Sequence, residues 1–145
     1  MWILFLAYGS LVIILAAAAV IDLNMHRIPD RLSLACLAAG LAAAVADRDL
    51  TAANSFWGCI LCGGTLLFFA LITKEGIGLG DAKLFAAAGV GLGAGKAAAA
   101  LMLSAILCGL LGLVLLTADM RNRKRTIPFA PFILVSVVIV LTTYP

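Results

Sequence analysis

Two aspartates carry the chemistry open to this chain. Asp22 follows the apolar run 1–21, and Asp81 closes Gly78-Leu79-Gly80-Asp81 at the mouth of another apolar run. Beyond Asp81, residues 82–95 hold one charge, Lys83, and are otherwise apolar or glycine. A carboxylate at the edge of hydrocarbon is costly to keep, so it points to function. Two carboxylates close enough to share one proton can perform aspartyl proteolysis. The ionised one takes a proton from water, and the protonated one donates to the scissile carbonyl oxygen. Their titrations then belong to the pair rather than to either residue. Gly78 and Gly80 would let a peptide backbone come near Asp81 and let the chain bend ahead of the helix. Spacing alone leaves a plainer reading equally open, with Asp81 a helix cap and Asp22 a solvated loop acid.

The elements that must position these acids are set by composition. Hydrophobic residues make up 65% of the 145 and charged residues 12%, which could not cover a water-facing surface. Mean hydropathy is +1.20. The apolar stretches are helix-length and do not alternate, so the expectation is an all-α polytopic membrane protein rather than a barrel. Six segments can be drawn, at 2–21, 32–46, 54–73, 82–95, 97–118 and 129–144, within a single domain over 1–145. The second and fourth are short for a crossing, so they extend into their flanks or the bilayer thins around them. No basic residue precedes Arg27, so the first run is expected to be a retained span rather than a signal peptide. Pro128 and Pro131 bracket the start of the last segment, where proline costs a helix least.

Charge placement predicts orientation. Arg27, Arg31, Lys74, Lys83, Arg121, Arg123, Lys124 and Arg125 follow the first, third and fifth segments. Only Arg48 and Lys96 follow the second and fourth. The bias puts the first set in the cytoplasm and both termini outside. Asp22 and Asp81 then share the cytoplasmic side, as a two-acid site requires. The net charge of +3 is too small to argue for nucleic acid.

Other polar residues have plainer readings. Arg27 and Arg31 are expected to anchor topology at the interface, with orientation of the acids as the rival role. Lys83 could act on Asp81 through its charge or snorkel to the interface. His26 has no nucleophile to pair with, Asp30 after Pro29 is expected to cap the second helix, and Arg121–Arg125 is expected to anchor anionic lipid. The cysteines, Cys36, Cys59, Cys62 and Cys108, lie inside apolar runs, where a thiol is a small hydrophobe. Cys59 and Cys62 have the spacing of half a zinc site, but a structural site needs four ligands, so no metal is expected.

Three segments carry a family resemblance. Asp22-Leu-Asn-Met-His-Arg-Ile-Pro29-Asp30 resembles the first motif of type IV prepilin peptidases, and Gly78-Leu-Gly80-Asp81-Ala-Lys83-Leu84 resembles their GxGD motif. Ile127-Pro-Phe-Ala-Pro131-Phe132 resembles the proline–phenylalanine motif at the start of their last span, with Ala130 where glycine is usual. The resemblance implies that Asp22 and Asp81 are the catalytic acids, with Gly78, Gly80, Lys83, Pro29 and Asp30 in support. It implies an aspartic endopeptidase without cofactor, cutting leader peptides of prepilin-like or pseudopilin-like proteins at the cytoplasmic face of the inner membrane. Larger family members carry two CxxC pairs ahead of the first span, associated with zinc and with N-methylation. None precedes the first run here, so the expectation is the short, peptidase-only form. Two other classes stay in view: a small transporter or proton pathway, and a non-enzymatic subunit of a pilus or secretion machine. Repeated halves with midplane acids would mark the transporter; indifference to loss of the acids would mark the subunit.

Overall fold

No proline interrupts residues 2–28, and the first helix, α1, runs uninterrupted over Trp2–Met25. The computed structural model describes residues 2–25, 28–73, 78–118 and 129–144. The sequence expectations for His26, Arg27, Lys74, Arg121–Arg125, Ile127 and Pro128 lie outside the described residues. Pro29 holds extended backbone (ψ 137°) and opens α2, Asp30–Ala46. The Thr51 side chain accepts from Asn54 N–H and caps α3, Ala52–Cys59. A π-helical turn, Ile60–Gly64, joins α3 to α4, Thr65–Thr73, and α5 covers Leu79–Ala118 and α6 Ala130–Thr143. Among the described residues there is no strand, as expected of an all-α fold.

A single residue breaks α5. Gly93 has φ 72° and ψ 169°, a region that essentially only glycine enters. The Ala94 N–H freed by the break donates to Asn54 Oδ1 at 2.9 Å. Contacts on either side show that the chain reverses there. The Tyr8 hydroxyl lies 3.2 Å from Gly91 O, and Lys96 Nζ sits 5.7 Å from the centroid of the same tyrosine ring. Cys62 Sγ donates to Ala97 O at 3.5 Å. The adjacent Gly63 packs on the other half, where an added Cβ would meet the Ala86 side chain. On a straight helix Ala86 and Ala97 would stand about 16 Å apart, too far for adjacent residues to touch both. Residues 79–92 and 94–118 are therefore two antiparallel helices. The sequence reading put the division at Lys96; the structure moves it to Gly93 and leaves Lys96 in the first turn of the second half.

Packing relies on small residues. A Cβ on Gly58 would land on the backbone of Gly89 and Gly93, so α3 and α5 meet backbone to backbone. Leu11, Leu15, Leu84, Phe85, Leu92, Ile133 and Val137 fill the interior, while Trp2, Phe5, Phe56, Trp57, Phe68 and Leu71 are more than half exposed. An outer surface of that chemistry needs hydrocarbon around it. Three helices, Trp2–Met25, Ala52–Ile72 and Leu79–Leu115, are long and apolar enough to cross a membrane. This is a membrane protein.

Candidate active site

Asp22 lies on the buried stripe of α1. Leu11, Leu15, Ala18 and Asp22, spaced i, i+4, i+7 and i+11, share one face and are all buried. The sequence reading ended the first span at residue 21. Because α1 continues to Met25, Asp22 is a helical residue only 5% exposed, not a loop acid. Its Oδ2 accepts from the Ala130 backbone N–H at 3.3 Å, at the first turn of α6.

Asp81 is 7% exposed and sits in the first turn of α5. Gly78 O accepts from Asp81 N at 3.0 Å and from Ala82 N at 3.4 Å, which puts Gly78, three residues earlier, at the capping position. The side chain of Asp81 is thus free of capping duty, and its Oδ1 is buried with no hydrogen-bond donor among the described residues. Asp22 lies near enough to act on Asp81 electrostatically, and Ile28 lies against Gly80, so the C-terminal end of α1 and the start of α5 are on the same side of the bundle. Neither has a salt-bridge partner among the described residues.

Of the residues expected to support the acids, Pro29 and Asp30 lie at the start of α2 and Gly78, Gly80 and Lys83 at the start of α5. A Cβ on Gly80 would come within 3.2 Å of the Ile28 Cβ, so glycine here lets Ile28 lie against the start of α5. Pro29 occupies the N-cap position of α2, with no side-chain cap bond. Asp30, expected to be that cap, instead accepts from Lys83 Nζ at 3.0 Å. The two side chains are 77% and 60% exposed. Lys83 is therefore directed to Asp30, and this ion pair clips α2 to α5 beside the acids. Arg31 is exposed.

Comparison with known proteins adds to this geometry. Residues 9–113 match the type IV leader peptidase family, a stretch holding Asp22, Pro29, Asp30, Gly78, Gly80, Asp81 and Lys83. The chain belongs to the type IV leader peptidase family. The proline–phenylalanine segment at 127–132 lies beyond the matched stretch. A prepilin leader peptidase/N-methyltransferase of Legionella pneumophila is 32% identical over 131 residues, 85% of this chain and 45% of that protein. One from Xanthomonas campestris is 31% identical over 136 residues, 89% of this chain and 47% of that protein. One from Bacillus subtilis is 34% identical over 124 residues, 83% and 48%. The chain spans about half the length of the curated relatives it matches. No solved structure matches it.

Two features of this family member escaped the sequence. The Ala130 amide at Asp22 is a backbone contact between helices far apart in the chain, and side-chain identity does not encode it. A polar cluster at the opposite end, where the Tyr8 hydroxyl donates to Asp47 Oδ2 at 3.0 Å, was signalled only by Tyr8 within an apolar run.

Proposed function

We propose that the chain is an aspartic endopeptidase that cleaves the leader peptide of prepilin-like or pseudopilin-like proteins, with Asp22 and Asp81 as its catalytic pair. The observation that carries the reading is the pair of buried carboxyls at neighbouring ends of α1 and α5, with Gly78 so close that a Cβ there would stand 3.5 Å from Asp81 Oδ2. Such a pair can activate a water and protonate a carbonyl without a covalent intermediate. Gly78 and Gly80 shape the approach, while Asp30 and Lys83 tie the start of α2, opened by Pro29, to α5. The names of the relatives supply the substrate class.

In the same reading the chain is one membrane-embedded unit of six crossings, the two halves of α5 counting separately because of the turn at Gly93. It sits in the inner membrane with the acids facing the cytoplasm, as the basic-residue bias argues. The prepilin's own hydrophobic helix would lie beside it in the bilayer. The test is cleavage of a prepilin-type substrate by the purified chain in liposomes, followed as a mobility shift. A chain that inserts and folds yet leaves every such substrate intact would contradict the proposal.

A further inference from the structure

The two acids meet different surroundings. α6 begins with one available donor: Pro131 has no N–H, and the amides of Phe132 and Ile133 both turn back to Phe129 O, at 3.0 and 3.3 Å. The remaining N–H, that of Ala130, donates to Asp22 Oδ2 in a site where Ala130 is 1% exposed. Phe129, at the N-cap position, offers no side-chain oxygen, so Asp22 takes the place of a cap. A donor at the positive end of a helix favours the charged form of the carboxylate it meets. Asp81 has the opposite setting: its Oδ1 is buried without a donor among the described residues, and a charge there would go unsolvated.

We infer that the pair is asymmetric by construction, with the Ala130 amide holding Asp22 ionised and oriented as the water-activating partner and the shared proton residing on Asp81. This rests on the dyad reading above and deepens it. Asp22 removes a proton from water as the water oxygen bonds to the scissile carbonyl carbon, and Asp81 gives its proton to the carbonyl oxygen. In the collapse of the resulting diol the C–N bond breaks. The proton taken by Asp22 goes to the leaving nitrogen, and one hydroxyl proton returns to Asp81. Both acids end as they began. Ala130 is a positioning residue that acts through its backbone rather than its side chain, which explains why alanine can stand where the family resemblance expects glycine.

The experiment uses site-directed incorporation into the full chain. Aspartate labelled with ¹³C at its carboxyl carbon is placed at position 22 or at position 81, and the infrared band of the protonated carboxyl is recorded in slightly acidic buffer. The label at 81 is expected to move that band and the label at 22 to leave it in place. Movement with the label at 22, or with neither, overturns the assignment. In parallel, Ala130 is replaced by lactic acid, which exchanges the N–H for an ester oxygen, and separately by glycine (A130G). The ester is expected to lower kcat about tenfold, the lower end for a hydrogen bond to a charged group given its 3.3 Å length, with KM little changed. A130G keeps the donor and should stay near the parent rate. An ester variant with full kcat, a loss that falls on KM, or an equal loss in A130G would overturn the positioning role. If Asp22→Asn and Asp81→Asn both still cleave, the dyad reading fails on its own, while the infrared result still locates the proton.

Discussion

Replacing Gly93 by alanine tests the turn that brings residues 94–118 back along residues 79–92. At φ 72° and ψ 169° an L residue is strained by roughly 1–3 kcal/mol. The new Cβ would also collide with the Leu50 side chain and stand 3.1 Å from Asn54 Nδ2, the amide whose oxygen accepts from Ala94. Overpacking of that kind adds about 1–3 kcal/mol. Leu50 can swing at its tip, so the lower half of the combined range, about 2–4 kcal/mol, is expected. Gly95, two residues on, is the control. It is exposed, a Cβ there meets nothing within 4 Å, and alanine should stabilise the helix by about 0.5–1 kcal/mol. Thermal unfolding in detergent, followed by loss of helix signal, should place Gly93→Ala below Gly95→Ala by roughly 10 °C. Equal melting of the two variants would mean that α5 runs straight through Gly93, and the packing of both its halves on Cys62 and Gly63 would be refuted with it.

Three further outcomes follow from the site. Gly80→Ala sets a Cβ 3.2 Å from Ile28, which must give way, so kcat should fall several-fold with insertion unchanged; a misplacement of about 1 Å can cost about a hundredfold at such sites. Lys83→Ala removes an ion pair whose members are mostly exposed, so stability should change by less than about 1 kcal/mol and cleavage should persist, as measured by melting and substrate mobility shift. Because one acid must be charged and the other neutral, cleavage should show a bell-shaped pH profile with two apparent constants of the pair. A rate that rises once and stays flat would instead indicate a single catalytic acid.

The fold class and both acids were legible in the sequence because they depend on local signals. Long apolar runs declare helices, and Asp22 and Asp81 stand out against them as charges in hydrocarbon. Burial of Asp22 was less visible, since the chain's charge pattern suggested that α1 ended one residue before it. The structure continues the helix a full turn, and the heptad-like stripe through Leu11, Leu15 and Ala18 carries Asp22 inward. The turn at Gly93 was misplaced by three positions because residues 89–95 hold four glycines, and no local rule says which one takes the positive φ. Pairing was harder still. Asp30 has the look of a cap beside Pro29, yet a lysine from another helix claims it. The amide of Ala130 reaches Asp22 only because α6 packs against α1, a tertiary fact with no local signature.

The central claim, that Asp22 and Asp81 act as one catalytic unit, is tested most directly by removing each proton-exchanging group while keeping its shape. Asp22→Asn and Asp81→Asn, purified as full chains and reconstituted with a prepilin-type substrate, should each lose cleavage by about a hundredfold or more. Because the two groups work together, the double variant should be no worse than either single one. Either single variant cleaving at close to the parent rate would contradict the account.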